Sequence, residues 1–354
     1  MNGHDYGAPD SSRERLEALS HLVGNTSMLV VRCKVQGREL NIFAKYEASN
    51  FTGSIKDRMA LHVLRDAYAN NCIKPGDMIV EATSGNTGIA FAGIGRALGH
   101  PVRILMPDWM SRERVQIIES LGATVVPISK DEGGFLGSIA CANQYAADND
   151  NVFLPLQFEN DANVQAHFLT TGPEIVAQMR GAGVEPTGFI AGVGTGGTVM
   201  GVARYFRNEV PAATVHPMEP ANSPTLRTGH KVGSHRIQGI SDEFIPEIVK
   251  LDQLDEIVDV WDGDAILMAQ KLATQCGLPV GISSGGNLVG AIKIALEQGE
   301  NAAVATVFSD CNKKYLSTDY CKDEPLRDDY LTPEVELLGF QVLEPASLSC
   351  QVQN

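Results

Sequence analysis

The run Asn50-Phe51-Thr52-Gly53-Ser54-Ile55-Lys56-Asp57-Arg58-Met59 puts a lysine and an arginine where the pattern predicts a helix to begin. Helix N-termini carry partial positive charge, so a cation in the first turn is mildly unfavourable. Asp57 suits the dipole, and Ser54 suits a cap. Lys56 is then either a solvated surface lysine or one kept for its amine. Glycine-rich turns elsewhere offer partners for such a group. Thr83-Ser84-Gly85-Asn86-Thr87-Gly88 runs into an apolar helical stretch and exposes unpaired N–H groups at a positive helix end. Thr83, Ser84, Asn86 and Thr87 add side-chain donors. With no lysine among them, a carboxylate fits this turn as well as a phosphate, and a well-capped loop is the structural alternative. Gly192-Val193-Gly194-Thr195-Gly196-Gly197-Thr198 satisfies GxGxxG, and Glu219 lies 22 residues beyond Gly197. That is the dinucleotide fingerprint. Against it, Pro217 interrupts the expected second strand, and the two threonine hydroxyls suit a terminal phosphate better than a buried pyrophosphate. A third run, Gly281-Ile282-Ser283-Ser284-Gly285-Gly286-Asn287, opens another helix; on spacing alone its serines read as caps.

The elements that must position these residues follow a simple alternation. Apolar or β-branched runs at 41–45, 78–82, 102–106, 124–128, 188–191, 214–219, 256–260 and 304–308 predict strands. Between them, 56–70, 88–98, 112–120, 137–148, 171–180, 199–208, 262–275 and 285–297 predict helices. Connections of this kind imply parallel sheets flanked by helices. The expected architecture is α/β, with two parallel-sheet domains and a cleft between them. Residues 47–160 form the smaller domain, and residues 13–46 plus 161–320 the larger. Residues 1–12 are expected to be disordered. Residues 321–354, polar and acidic, read as an appended extension with at most one ordered piece around 335–342.

Composition narrows the class. Of the 354 residues 44% are hydrophobic and 20% charged, as in an ordinary soluble globular protein, and the net charge of −15 argues against nucleic acid or anionic membrane as partner. The cysteines, 33, 72, 141, 276, 311, 321 and 350, are odd in number with no CxxC pair, and no HExxH occurs. That reads as reduced thiols, without a disulfide framework or metal site. With neither an apolar leader nor a run of membrane-span length, a cytoplasmic protein is expected.

Taken together and in order, the motifs resemble the cysteine synthase / cystathionine β-synthase family of pyridoxal-phosphate enzymes, which have a tryptophan synthase β-like fold. The resemblance rests on LVGNTSML (22–29), NFTGSIKDR (50–58), TSGNTGIAFA (83–92) and LQFENDANVQAHFLTTGPEI (156–175). It continues through GVGTGGTVMG (192–201), HRIQGISDEFIP (235–246), GISSGGN (281–287) and SDCNKKYLST (309–318), so that it spans about residues 14–320. It implies that Lys56 is the lysine that forms an imine with pyridoxal 5'-phosphate and carries the Cα proton. Gly194, Thr195, Gly196, Gly197 and Thr198 would cradle the phosphate. Asn86 would meet the phenolic oxygen and Ser283 the pyridine nitrogen. A serine there leaves the ring a weaker electron sink than a carboxylate would, favouring β-substituent loss over transamination or racemisation. Thr83, Ser84, Thr87 and Gln157 would hold the substrate carboxylate, with Gly239 and Ser241 beside the incoming nucleophile. The implied reaction is β-replacement through an aminoacrylate, with O-acetyl-L-serine and sulfide giving L-cysteine and acetate, in a homodimer whose smaller domain closes over the site.

The sequence departs from the family at three places. The usual GNTPL reads Gly24-Asn25-Thr26-Ser27-Met28-Leu29, and the usual GIGxGF reads Gly239-Ile240-Ser241-Asp242-Glu243-Phe244. The acidic extension exceeds a minimal cysteine synthase, is too short for paired regulatory domains, and no haem-binding N-terminal segment is evident. Phosphoserine as donor would want an arginine nearby, for which Arg236 is the candidate. Serine as donor, or homocysteine or an amine as nucleophile, stays open. So do a nicotinamide-dependent dehydrogenase, resting on GxGxxG, and a non-catalytic binding protein.

Overall fold

The computed structural model describes residues 11–241 and 243–346. The expected disorder of residues 1–10 lies outside them, as do Asp242 and Cys350. Ser11 and Ser12 are ordered: Ser11 caps the first helix, α1 (Ser12–Ser20), in a reciprocal capping box with Glu14.

The strands are β1 (Met28–Val35), β2 (Arg38–Tyr46), β3 (Met78–Ala82), β4 (Val102–Pro107), β5 (Thr124–Ile128), β6 (Val152–Phe153), β7 (Gly188–Gly192), β8 (Thr214–Pro220), β9 (Val258–Val260), β10 (Val304–Phe308) and β11 (Glu336–Leu343). They make two sheets, one of seven strands in the order β11-β1-β2-β10-β7-β8-β9 and one of four, β5-β4-β3-β6. The four-stranded sheet is parallel throughout. The seven-stranded sheet is mixed, because β1 runs antiparallel to both β2 and β11. The segment expected to be an appended tail therefore supplies an edge strand of the larger sheet.

The remaining helices are α2 (Lys56–Ala69), α3 (Asn86–Ala97), α4 (Arg112–Ser120), α5 (Gly134–Ala147), α6 (Asp161–Ala166), α7 (Gly172–Gly181), α8 (Gly197–Glu209), α9 (Thr225–Thr228), α10 (Asp262–Cys276) and α11 (Ile282–Gln298). A π-type turn at His167–Thr171 joins α6 to α7. Along β7, Ile190 packs with Leu272, Leu288 and Ile292 of α10 and α11. Its neighbours Phe189 and Ala191 pack with Met179 of α7 and Met200 and Phe206 of α8. A strand buried on both faces needs an unbroken apolar run, which explains the pattern in the sequence. Ile79 and Ile104 of the smaller sheet likewise meet α2 and α3, while Val80 and Leu105 meet Ala142 of α5.

Pro217 does not break β8, which pairs with β7 through Ala191↔Pro217. Two residues earlier, Val215 turns its N–H toward Asp255 on the β9 side. The donor missing from Pro217 thus faces a side where the β9 ladder begins only at Met218. No helix among the described residues is long and apolar enough to cross a membrane.

Candidate active site

The turns β3–α3 and β7–α8 lie at the carboxyl ends of parallel strands, where open α/β sheets place their ligands. One cavity is lined by Lys56, by Thr83, Ser84, Asn86 and Thr87 of the first turn, and by Gly192, Gly194, Thr195 and Thr198 of the second. Gln157, Gly239 and Ser283 complete it, so residues far apart in sequence meet in one place.

Lys56 is the first residue of α2. Ser54 is not the cap, which is Ile55, but its hydroxyl accepts the Lys56 N–H at 3.3 Å. Asp57 is fully buried and accepts the backbone N–H of Thr52 at 2.7 Å and the Thr52 hydroxyl, which pins the preceding turn. Burial raises its pKa, against those bonds. Arg58, also buried, is met by Glu47 at 2.6 Å and Glu174 at 2.7 Å, and Lys45 pairs with Glu174 at 2.8 Å. Both carboxyls titrate below the ordinary range: burial opposes ionisation, and the Arg58 guanidinium outweighs it. This cluster ties β2, α2 and α7 together behind Lys56.

In the β7–α8 turn the N–H groups of Gly194, Thr195 and Gly196 donate to nothing else among the described residues. A Cβ on Gly194 would lie 2.4 Å from Gly239 O, and one on Gly197 would lie 1.9 Å from Asn163 Oδ1. The turn is thus backed closely by protein; Gly194, Thr195 and Thr198 line the cavity, while Gly196 and Gly197 lie behind its lining, an arrangement that suits a phosphate. Asn163 donates to Thr195 Oγ1 at 2.9 Å and to Gln157 O at 2.8 Å. His167 Nε2 is 3.3 Å from Thr198 Oγ1 and its Nδ1 is 2.9 Å from Thr171 Oγ1. Burial, with the charges of Arg58 and Lys56, holds His167 well below its ordinary pKa, so it serves as a neutral hydrogen-bonding ring. Glu219, the acid of the supposed dinucleotide fingerprint, accepts the Leu226 N–H at 2.6 Å and so is committed to α9.

Around the first turn, Thr87 donates to Gln157 Oε1 at 2.7 Å, and Gln157 Nε2 donates to Ala82 O at 2.8 Å. Asn86 Nδ2 donates to Asp310 at 2.8 Å, while Asn86 Oδ1 accepts Lys314 Nζ at 2.9 Å. Tyr315 donates to the same Asp310 oxygen at 2.8 Å, leaving Asp310 Oδ1 buried and unpaired. Burial lowers the pKa of Lys314 and raises that of Tyr315. The Ser283 hydroxyl, 5% exposed as a residue, makes no hydrogen bond within the described protein and lines the cavity. The donor set fits pyridoxal phosphate: an amine, unpaired N–H groups for a phosphate, and a hydroxyl without a partner.

Two expected residues lie elsewhere. Ser241 is absent from the lining of this cavity; its N–H donates to Val193 O at 2.7 Å and its hydroxyl lies 3.3 Å from Ser223 O and Thr225 Oγ1. It borders an outer cleft with Glu243, which pairs with Lys231 at 3.0 Å. Arg236 is unavailable to a phosphorylated substrate, being forked onto Asp262 (2.9 Å) and Glu324 (2.6 Å). Asn163, His167, Asp310 and Lys314 were missed as site residues, although all four fall inside motifs that carry the resemblance.

Sheets, turns and amine define a fold-type II pyridoxal-phosphate enzyme. The chain belongs to that family: the model described as "Pyridoxal-phosphate dependent enzyme" matches residues 19–310. Among curated relatives, a probable cysteine synthase of Bacillus subtilis (strain 168) is 38% identical over 298 residues, covering 84% of this chain and 95% of the relative. A cysteine synthase of Staphylococcus aureus (strain N315) is 36% identical, covering 87% and 97%. Among solved structures, a hydrogen sulfide-producing enzyme from Fusobacterium nucleatum superposes with a TM-score of 0.91 at 52% identity, over 94% of this chain and 99% of that one. The protein is an enzyme of the cysteine synthase type, dependent on pyridoxal phosphate, and its chemistry is β-replacement on an amino acid.

Proposed function

We propose that the enzyme runs its β-replacement in the direction that releases sulfide, taking L-cysteine as substrate and water as the replacing nucleophile to give L-serine. The observation that carries this reading is the 52% identity, over nearly the whole chain, to a hydrogen sulfide-producing enzyme, against 36–38% to cysteine synthases. A site that accepts sulfide at Cβ must also let it leave, by microscopic reversibility, so the two activities differ in which nucleophile is favoured.

Lys56, Asn86, Ser283 and the Gly194–Thr198 turn would hold the cofactor, which when bound supplies the electron sink that acidifies Cα. Thr83, Ser84, Thr87 and Gln157 would seat the substrate carboxylate at the N-terminus of α3. Lys56 Nζ then takes the Cα proton. The Cβ–S bond breaks and sulfur departs as hydrosulfide. Water forms the Cβ–O bond as its proton passes to the departing hydrosulfide, and Lys56 returns its proton to Cα. Closure of the smaller unit, residues 47–160, would hold the substrate in place between these steps.

Purified enzyme loaded with cofactor is given L-cysteine alone, and sulfide, serine and pyruvate are measured. Sulfide and serine in equal amounts are expected, with Lys56→Ala lowering both by at least about 10³-fold. Faster cysteine formation from O-acetyl-L-serine and sulfide would replace this reading with the synthetic one, which the cysteine synthase relatives favour. Pyruvate in place of serine would leave elimination.

A further inference from the structure

Arg114, in the first turn of α4, is 1% exposed. A guanidinium buried that deeply is ordinarily met by a carboxylate, as Arg58 is by two. Arg114 has no carboxylate partner among the described residues. Its Nη1 reaches Ser111 Oγ at 3.4 Å, and its Nε is buried without an acceptor. One face of the group lies over the ring of Tyr315, with Cζ 4.6 Å from the centroid. Neither nearby acid pairs with it: Glu113 is turned out to Ser317, and Asp310 gives Oδ2 to Asn86 and Tyr315 while its buried Oδ1 pairs with nothing among the described residues.

Arg114 also packs against Gly85. A Cβ built on Gly85 would lie 2.3 Å from both Cδ and Nε of Arg114. Glycine is needed there for space, because any side chain would take the room the arginine occupies. The charge is therefore pressed against the back of the Thr83–Thr87 turn, whose Ser84, Asn86 and Thr87 N–H groups have no partner among the described residues. A buried cation without an anion is costly, and the cost falls when an anion arrives on the other side of the turn.

We propose that Arg114 is a positioning residue for the substrate's α-carboxylate, its buried charge acting through the Gly85 backbone to fix the carboxylate on the turn. The proposal rests on the reading of Thr83–Thr87 as the carboxylate seat. It explains how a turn with no cation of its own selects an amino acid, since low local dielectric lets the arginine attract an anion it does not touch.

The test compares Arg114→Met, Arg114→Lys and Gly85→Ala with wild type, all loaded with pyridoxal phosphate. Each is titrated with L-cysteine and with L-cysteine ethyl ester, whose carboxyl carries no charge, following the visible band of the bound cofactor. Arg114→Met is expected to weaken L-cysteine by about 10- to 100-fold, with the ester changed less than about threefold. Arg114→Lys recovers most of the loss, and Gly85→Ala, which displaces the arginine, repeats it. In Arg114→Met and Arg114→Lys the band before substrate and the affinity for pyridoxal phosphate stay at wild-type values. Equal weakening of acid and ester, or loss of the cofactor itself, overturns the proposal. Thr87→Val serves as the check on the seat. If it weakens L-cysteine while Arg114→Met does not, the arginine's role alone fails. If neither does, the seat fails with it.

Discussion

At the scale of single residues, this site is built as much from missing atoms as from functional groups. Gly197 shows it best. The Cβ of an alanine there would overlap Asn163 Oδ1 at 1.9 Å, and Asn163 holds both Thr195 and the Gln157 carbonyl. Gly197→Ala is expected to weaken pyridoxal phosphate by more than about tenfold, read by titrating apoenzyme with the cofactor. Wild-type affinity would mean that the turn does not hold the phosphate. Much of this was legible in sequence, because a glycine-rich turn before a helix announces unpaired N–H groups locally. The sequence singles out Lys56, both glycine-rich turns and Ser283 that way or through the motifs around them, and the fold brings them to one cavity. Arg114, Asp310 and His167 were not, because their roles come from packing: Asp310 meets Asn86 across 224 residues of sequence. Arg236 and Ser241 misled for the same reason. Their partners, Glu324 and Ser223, lie in segments that the local pattern does not connect to them.

Among the elements, the junction of β3 with the segment at Gln157 carries a buried acid. Glu81 accepts the N–H of Ala82 at 3.0 Å and of Gln157 at 3.4 Å, and burial pushes its pKa from the usual 4.5 to about 8. The folded chain holds this proton where the unfolded chain has released it. Its contribution to stability is therefore complete below about 4.5 and is lost as pH rises toward about 8. Glu81→Gln removes that loss, so the melting temperature of the variant should gain at least about 3 °C on wild type between roughly pH 5 and pH 9. A constant difference across that range would show that Glu81 titrates normally. The strand–helix alternation was legible because strands buried on both faces cannot hide their apolar runs. β1 escaped notice, its later residues alternating between buried and exposed, as did its turn to β2. Gln36 and Gly37 both take positive φ, 50° and 80°, as a two-residue hairpin demands, but Gln-Gly is not the usual signal for it.

On the scale of the whole molecule, the acidic extension is packed into the fold rather than appended to it. Glu324 of the extension joins Asp319 just before it in gripping Arg236, which leads into Gln238, Gly239 and Ile240 at the cavity wall, while Asp264 receives the N–H groups of Leu331 and Thr332. Glu324→Ala should leave the fold intact, because Asp262 still holds the arginine, yet loosen that wall. The expected result is a KM for the amino acid raised about three- to tenfold, with the melting temperature within about 2 °C of wild type. An unchanged KM would reduce the contact to surface decoration. Polar composition hid this role, since charges that bind a remote partner look the same in sequence as charges that meet water. The way the extension joins the sheet also sets a timetable for synthesis. β11 pairs with β1, Met28 lying opposite Leu343, so the seven-stranded sheet cannot be finished until almost all the chain has left the ribosome. The four-stranded sheet uses strands between Met78 and Phe153 and is free to form much earlier. Once β10 has joined β2 to β7, the nascent protein carries, for an interval of about two to seven seconds, one finished sheet and one with an open edge at β1. That edge, apolar and unpaired, is where a chaperone or a neighbouring nascent chain would bind first.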